Sequence, residues 1–453
     1  MKTPAANRSQ ILRCAVLALL FVIGALVWVG RIKQGLKTEP IISVIFLQML
    51  LTVAGVGAGL MILVQNRGGM PRLWRSDLAT FLLVAGLVLL VLGGTLHPSL
   101  GPLTSQVLLY MDRWMLPGFA LLVLHVAQRS FGVRPMIAVY GIFAGALVVA
   151  LCVEAARAGA PIPVAIAGSG RYGAFLGHPN QYGIVTASTA PLLIVLLLAK
   201  KWLPWLLGVA VLGVYVLTIF QSLSKTNIVL LPMGLILALL LASLGNARAF
   251  SKTVLTIGGL SVAVALAAVA GFGALQQFAP REAKVVETAV FDPRGAKSID
   301  EREDAWEQAI GVIKESPVLG KGPGWSYDNL MFGHAHNLYL QAWIDAGIPG
   351  VAGACILTLG VLLRLARTAR GIFLLRRSGA PLGEKDLLQT GAATGLLIAI
   401  FGNSMSASFD TVTFTSFSLM LAFCFRDWRL YDPARATGGA LAERPAHPLA
   451  HAR

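Results

Sequence analysis

Apolar residues form repeated runs of about 20 residues along most of the chain, and short polar turns separate these runs. A run of that length spans a bilayer core of roughly 30 Å as a helix. The runs that qualify lie at 11–29, 41–64, 78–96, 103–128, 135–153, 182–199, 203–220, 227–244, 254–272, 349–366, 388–405 and 409–425. Because backbone polar groups inside lipid must bond within their own segment, all twelve should be helical. The pattern predicts an all-α polytopic membrane protein with a single transmembrane domain over residues 1–453.

Composition and charge favour a membrane protein over a soluble one. The chain is 56% hydrophobic and 13% charged, whereas soluble domains carry about 25% charged residues. With the N-terminus inside, both tails and the turns near 65–77, 129–134, 200–202, 245–253 and 367–387 hold most of the 37 lysines and arginines. Both termini are therefore predicted to be cytoplasmic. Basic turns facing anionic lipid account for the net charge of +16, so we expect no nucleic-acid partner.

Residues 272–348 form a long polar segment that is predicted to lie outside the membrane as a loop subdomain. Within it, "SIDEREDAWEQAIGVIKESP" predicts an amphipathic helix with Trp306, Ile310 and Ile313 at helical spacing and Pro317 at its end. The following "GKGPGW" predicts a turn, and it lacks the spacing of a phosphate-binding loop. At the other end of the chain, residues 430–453 are expected to form a disordered cytoplasmic tail.

The stretch "GHAHNLYLQAWIDAGIPG" connects this loop to the apolar run at 349–366. It predicts a short helix carrying His336, which "GIPG" interrupts so that Pro349 becomes the first residue of the next span. Asn337, Gln341 and Asp345 recur at intervals of four, so they share one side of that helix. A polar face held rigidly at the outer mouth of a helical bundle is a reasonable place for a reaction.

His336 is the leading catalytic candidate. An imidazole changes charge near neutral pH, with an unperturbed pKa of about 6.5, so it can take a proton from an attacking hydroxyl. A histidine in this position can also cap a helix or hydrogen-bond a loop carbonyl. His334 and His336 form an H-x-H pair, but no convergent cysteines or carboxylates complete a metal site, so no metal is expected.

Three further polar residues near the predicted outer side can bind substrate. Arg171, in "GSGRYGAFLGHPNQYG", can offer a planar fork to a phosphate, although interfacial arginines commonly snorkel. Asn180, in the same stretch, can hydrogen-bond a sugar or cap the helix that follows. Lys225 lies in the hinge "QSLSKTN", where it can bind an anion together with Ser222 and Ser224 or form part of an ordinary turn.

Charged residues in the loop helix and in the fourth span complete the candidates. Arg302 lies among acidic residues, which is also the pattern of a surface ion pair. Asp112 and Arg113 lie inside the span at 103–128, where each charge costs roughly 2.5–3.5 kcal/mol and is a functional candidate by default. As immediate neighbours they point in different directions, so Arg113 can contact a lipid phosphate or pair with another helix.

The sequence "HN", nine residues and then "GIPG" resembles the signature of the O-antigen ligase and polymerase superfamily. The preceding "EREDAWEQAIGVIKESPVLGKGPG" is similar to that family's arginine-bearing helix, proline and glycine-rich turn. "GRYGAFLGHPNQYG" and "SLSKT" stand where relatives have an Arg…Gly…Asn segment and a Ser-Arg-like turn. The resemblance runs from about Arg171 to the last span. It departs from the family at Lys225, where many relatives have arginine. It also departs at Asp112 and Arg113, which are neighbours here, whereas the corresponding aspartate and arginine of relatives are usually separated in sequence.

This resemblance implies a C-type glycosyltransferase fold in the bacterial inner membrane with a periplasmic active site. Such enzymes take a glycan from undecaprenyl pyrophosphate, and ligases pass it to a hydroxyl of the lipid A–core without a metal or other cofactor. It implies that His336 is the catalytic base. The implied substrate-binding residues are Arg171, Lys225, Arg302, Asn337, Asn180 and Arg113.

Several activities fit these features. We favour O-antigen ligation because the chain lacks the large C-terminal region common in protein-directed relatives. An O-antigen polymerase and a protein O-oligosaccharyltransferase stay as alternatives within the superfamily. A secondary transporter is the alternative from another class, since twelve spans suit it. However, transporters tend to contain internal repeats and helices broken near the midplane, whereas the polar features here cluster in an outer loop.

Overall fold

The computed structural model describes residues 78–97, 179–198, 202–222, 224–259, 276–277, 283–284, 287, 297–331 and 333–405. All regular structure within these residues is helical. The helices are α1 Leu78–Thr95, α2 Pro179–Thr189, α3 Ile194–Leu197, α4 Trp202–Ser222, α5 Lys225–Ser243, α6 Lys297–Glu315, α7 Trp325–Asn329, α8 Leu338–Arg377 and α9 Glu384–Met405. A 3₁₀ turn, Ala190–Leu193, joins α2 to α3, and residues 247–259 are also helical.

Many of the predicted spans coincide with these helices. Those at 78–96, 182–199, 203–220, 227–244, 349–366 and 388–405 overlap α1, α2 with α3, α4, α5, α8 and α9, and the span at 254–272 overlaps the helical residues 247–259. The spans at 11–29, 41–64, 103–128, 135–153 and 409–425, and the tail at 430–453, lie outside the described residues, so the number twelve stays a prediction.

Two helices of the described part, α5 and α8, are long and apolar enough to cross a membrane by length and composition. Shorter apolar helical stretches lie at Phe81–Thr95, Gly183–Leu197, Pro204–Val216 and Asp386–Gly402. The outer face of α4 leaves large apolar side chains exposed, including Trp202, Trp205 and Leu207. A soluble surface rarely presents such a continuous apolar face, whereas lipid is a suitable neighbour for it.

Helix α9 lies at the centre of the main core. Its residues from Leu387 to Ile400 are all buried, as expected for a helix that other helices surround on every side. It packs against α2, the 3₁₀ turn, α5 and α8. Its buried hydroxyls are satisfied within the helix, because Thr390 Oγ1 donates to the Asp386 carbonyl at 2.8 Å and Thr394 Oγ1 donates to the Thr390 carbonyl at 2.9 Å.

Helices α1 and α8 touch backbone to backbone. A Cβ added to Gly86 would lie 2.6 Å from the backbone nitrogen of Leu357 and 2.8 Å from the carbonyl oxygen of Gly353. Gly93, near the end of α1, lies against the side chain of Pro349, with a distance of 3.0 Å between its added Cβ and the proline Cβ. Small residues at helix contacts give membrane helices their close van der Waals packing, and this contact fixes α1 antiparallel to α8.

Helix α6 packs through its smallest side chains. Ala305, Ala309 and Ile313 are buried, whereas Ile310 is 44% exposed. The predicted apolar face was therefore wrong at Ile310, because the count of large apolar residues overlooked the two alanines. Ala309 and Ile313 belong to a small apolar cluster with Leu330, Ala335 and Ile344, which is separate from the main core.

Helix α8 is longer than the predicted span at 349–366. It continues to Arg377, so the turn predicted at 367–387 is helical over its first half. At 1.5 Å per residue, the part from Pro349 to Arg377 would be about 43 Å long. Arginine ends an apolar run without ending a helix, because it has a high helix propensity. The charged extension also has a packing partner, since Arg376 Nη2 donates to the Ala242 carbonyl near the end of α5 at 3.3 Å.

The replacement Gly86→Ala should destabilise the protein, because the Leu357 backbone cannot move away from an added Cβ without separating the helices. Overpacking of this kind costs about 1–3 kcal/mol. Gly213→Ala in α4 is the matched control, since nothing lies within 4 Å of its Cβ position. It should leave stability unchanged or slightly raised. Thermal unfolding midpoints in detergent compare the two, and equal midpoints would contradict the close packing of α1 on α8.

Candidate active site

His336 lies in the loop at residues 333–337 that precedes α8, rather than on the short helix predicted for it. Its backbone φ is +49°, and among the described residues it is the only non-glycine with a positive φ. Histidine adopts this left-handed region more readily than most residues, but the conformation still costs on the order of 1–3 kcal/mol. Its side chain is half-buried, and its ring centroid lies 3.9 Å from that of His334.

A buried glutamine holds this loop in place. Gln341 Oε1 accepts from the backbone N–H of Ala335 at 3.0 Å. Gln341 Nε2 donates to Ser326 Oγ at 2.9 Å and to Asp345 Oδ1 at 2.8 Å. Gln341, Ser326 and Asp345 are all buried, so water does not compete for these bonds. The Gln341 side chain therefore links Ala335, the residue before His336, to Ser326 of α7 and to Asp345 on the next turn of α8.

The sequence pattern anticipated part of this arrangement. The shared side predicted for Gln341 and Asp345 is confirmed by their hydrogen bond. Asn337 serves as the N-cap of α8, because its Oδ1 accepts from the N–H groups of Tyr339 at 2.9 Å and Leu340 at 3.2 Å. No short-range sequence pattern predicts the bonds of Ser326 and Ala335 to Gln341, because these residues meet only once the chain has folded.

Helix α8 is sharply bent at Gly347, where φ is +61° and ψ is −146°. This confirms the predicted interruption at "GIPG". A Cβ at Gly347 would overlap the carbonyl of Val318, so only glycine fits there. Two backbone bonds seat the preceding loop on the bend: Ile348 N–H donates to the Val318 carbonyl at 3.0 Å, and Lys321 N–H donates to the Ile344 carbonyl at 2.7 Å.

The bend folds the first segment of α8 back along the second. The Tyr339 hydroxyl and Thr358 Oγ1 are 2.9 Å apart, although these residues lie well before and well after Gly347. Thr358 Oγ1 already donates to the Ala354 carbonyl, so the tyrosine is the donor. At about 1.5 Å per residue, such a contact requires the two segments to run nearly antiparallel. His336 therefore lies beside the long apolar segment rather than beyond its end.

The starts of α2 and α5 meet at a second polar group. Asn227 is fully buried, and its Nδ2 donates to the carbonyl of Asn180 at 3.1 Å and to Ser224 Oγ at 2.7 Å. Asn180 lies inside α2, which starts at Pro179, and so it does not cap that helix from outside. Lys225 is the first residue of α5 and is half-buried. The structure thus brings Asn180 and Lys225 together through Asn227, a residue that the sequence analysis overlooked.

The two polar groups belong to one packed body. Leu338, next to Asn337, shares the main core with Leu230 of α5. Arg302 lies on α6 about two turns before Ala309 and is half-buried. Arg171 and Arg113 lie outside the described residues, as does Asp112.

The helix starts at Pro179 and Lys225 add positive electrostatic character to the second group. Each helix N-terminus carries a partial positive charge from its unsatisfied backbone N–H groups. Two such ends, held side by side by Asn227 and accompanied by a lysine, provide a suitable environment for an anion. The imidazole of His336, by contrast, offers a group that can take up a proton.

Replacing Gln341 by alanine should loosen the loop around His336. The change removes one hydrogen bond from the Ala335 N–H and one from the Asp345 carboxyl group, and a buried donor left without its partner costs about 1–3 kcal/mol. Hydrogen exchange measured by mass spectrometry should be faster in peptides covering residues 331–340. Gln308→Ala is the control, because Gln308 is exposed and bonds only at the surface to Met331. Unchanged protection in the Gln341 variant would contradict the bracing role.

A comparison with known protein families finds a match over the segment that contains most of the candidate site residues. Residues 209–355 match the family model described as O-antigen ligase. The matched segment includes Lys225, Arg302, His336 and the bend at Gly347, whereas Asn180 precedes it.

A protein of Haemophilus influenzae, itself described only as an uncharacterized protein, is 32% identical over 77 residues. That alignment covers 14% of this chain and 19% of the relative, so the chain spans about a fifth of the length of the relative that it matches. Residues 209–355 are therefore similar to the O-antigen ligase family, and within the described residues α5 and α8 have the length and apolar composition of membrane-crossing helices. Members of that family are inner-membrane glycosyltransferases that act on lipid-linked glycans.

Proposed function

We propose that the protein is a periplasmic-side O-antigen ligase. It transfers a glycan from undecaprenyl pyrophosphate to a sugar hydroxyl of the lipid A–core, with His336 as general base and no metal. The observation that carries this proposal is the backbone of His336. A non-glycine residue is held at a φ of +49° by a buried hydrogen-bond network, inside the segment that matches the family. Unfavourable backbone conformations persist where the surrounding structure enforces them, and they concentrate at functional sites.

The proposed chemistry needs one proton transfer and one substitution. A neutral ring nitrogen of His336 takes the proton of the acceptor hydroxyl. The oxygen of that hydroxyl attacks the anomeric carbon of the glycan at the same time. The bond between that carbon and the pyrophosphate oxygen breaks, and the electron pair leaves with the carrier pyrophosphate. A rigid loop suits this step, because general bases act only within hydrogen-bond reach of the proton they remove. Gln341 and the cap at Asn337 supply that rigidity.

The departing pyrophosphate gains negative charge, which cations placed beforehand can stabilise. Lys225 fits this role because it lies at the joined starts of α2 and α5. Arg302, Arg171 and Arg113 are the other cations that we assign to the pyrophosphate. Asn180 and Asn337 are assigned to the glycan side.

We place this site in a chain with twelve spans and cytoplasmic termini, with residues 272–348 as a periplasmic loop subdomain. The separate apolar cluster of α6, the loop and Ile344 supports treating this loop as a unit. The basic turn before α1 supports its orientation, since Arg72 and Arg75 precede Leu78. With that proposed orientation, the antiparallel contact of α1 with α8 supports a periplasmic position for Gly347.

His336→Ala should reduce transfer of undecaprenyl-linked glycan to lipid A–core in proteoliposomes by about 10²–10⁴-fold, because the acceptor loses its base. His334→Ala is the matched control, since it removes a neighbouring imidazole and should retain most activity. Thermal midpoints of both variants should stay near that of the parent. Full transfer by the His336 variant would reject the mechanism.

The same variant in a deletion strain separates ligation from polymerisation. For a ligase, cells carrying His336→Ala should lack polymer on lipopolysaccharide while long chains remain on the carrier. Single repeat units on lipopolysaccharide would instead indicate a polymerase. Normal lipopolysaccharide together with an unglycosylated target protein would indicate a protein O-oligosaccharyltransferase.

Lys225→Ala should lower kcat for transfer by roughly tenfold or more, because the leaving pyrophosphate loses a stabilising cation. Lys225→Arg keeps the positive charge and should recover most of that loss. Lys252→Ala is a control for general loss of basic charge, because Lys252 is exposed on the helical residues 247–259. Equal rates for the two alanine variants would remove Lys225 from the proposed site.

A further inference from the structure

The bend of α8 carries an exposed apolar surface. Val318 is 58% exposed, Leu319 is 52% exposed and Ile348 is 51% exposed. Pro317 and Pro349 are exposed beside them. These five residues are called the elbow patch. They form one surface because Ile348 N–H donates to the Val318 carbonyl, which seats the loop directly on the bend.

The elbow patch continues the exposed stripe of the long segment of α8. Exposed residues along that segment recur at the spacing of one helix face. The apolar members of this stripe are Ile348, Cys355, Leu359, Leu362, Ala366 and Phe373. The opposite face packs against α1 through Gly353, Leu357 and Gly360. On a helix long and apolar enough to cross a membrane, such a stripe faces lipid, so the patch is continuous with a lipid-facing surface.

Helix α1 gives an independent measure of where the patch lies in the bilayer. It runs antiparallel to α8, with Leu83 beside Gly360 and Gly93 beside Pro349. Its 18 residues would span about 27 Å, close to the roughly 30 Å of a bilayer core. Charged residues precede its start, where Arg75 and Asp77 occur. The end of α1 at Thr95, and with it the elbow patch, therefore lies at the opposite boundary of the core.

A tryptophan at the edge of the patch is consistent with this boundary. The Trp343 indole N–H donates to the Pro317 carbonyl at 2.8 Å, and its ring is only half-buried. Tryptophan is enriched at the membrane–water interface, where an apolar ring and a polar N–H are both accommodated. Lys314, Glu315 and Lys321 flank residues 317–319 of the patch in sequence, as expected for the headgroup side.

We propose that the elbow patch inserts into the headgroup–acyl boundary of the leaflet at which the long segment of α8 begins. Its partner is the lipid surface itself. Insertion anchors the loop that is bonded to the bend and so fixes the height of the bend relative to the membrane. The first segment of α8, and His336 with it, is carried by that bend. The consequence for catalysis, a constant distance between His336 and the carrier pyrophosphate, rests on the proposed function, but the insertion does not.

Spin-label depth measurements on the full-length protein in phosphatidylcholine–phosphatidylglycerol proteoliposomes test the proposal. The four cysteines, Cys14, Cys152, Cys355 and Cys424, are first replaced by alanine. Leu319→Cys and, separately, Val318→Cys are then labelled with a nitroxide. Power saturation compares collisions with oxygen, which partitions into lipid, and with a water-soluble nickel chelate. Leu362→Cys provides the lipid reference, and Glu307→Cys on the exposed face of α6 provides the aqueous reference.

The labels at 318 and 319 should report oxygen-to-nickel ratios well above that at 307, at a depth of about 5–10 Å below the lipid phosphates. A ratio equal to that at 307 would overturn the proposal, because the patch would then face water. Protection from both reagents would overturn it as well, since a protein partner would cover the patch. The measurement does not use glycan transfer, so loss of the proposed enzymatic function would leave its outcome interpretable.

Discussion

The left-handed backbone at Gly347 divides α8 into a short segment that follows the His336 loop and a long segment that can cross a membrane. The rest of the site depends on this bend. It returns the short segment along the long one, where Tyr339 reaches Thr358. The return places Gln341 where it can bind the loop backbone and α7 at once. A side chain at Gly347 would meet the Val318 carbonyl and open the bend, so the geometry requires glycine there.

The short segment of α8 combines an apolar and a polar face. Leu338 and Ala342 join the main core, whereas Ile344 joins the small cluster with α6. The buried polar groups between these contacts are all side chains that bond to one another or to the loop. Such networks are strong when every member is satisfied, and they specify one conformation. The general-base role proposed for His336 needs that property, because proton removal depends on the position of one ring nitrogen.

Much of the fold could be predicted from the sequence, because a bilayer constrains hydrophobic length directly. Seven predicted spans overlap helical residues of the described part, and the interruption at "GIPG" is present. The site was less predictable. Gln341 and Asp345 share a helix face, which spacing reveals, but Ser326 and Asn227 act through contacts between separate segments. Ile310 was assigned to the apolar face because it lies at helical spacing from Trp306 and Ile313, whereas the buried face is formed by Ala305, Ala309 and Ile313.

The sequence by itself determined which segments are apolar enough to be helices in lipid, and it marked His336, Asn337 and the glycines as an unusual local group. These properties depend on composition and short-range spacing. Only the tertiary structure decided that α8 folds back on itself, that it continues to Arg377, and that the starts of α2 and α5 share Asn227. Those outcomes depend on which backbones can approach closely and which buried polar atoms find partners. Both are properties of residues far apart in the chain, so no local pattern contains them.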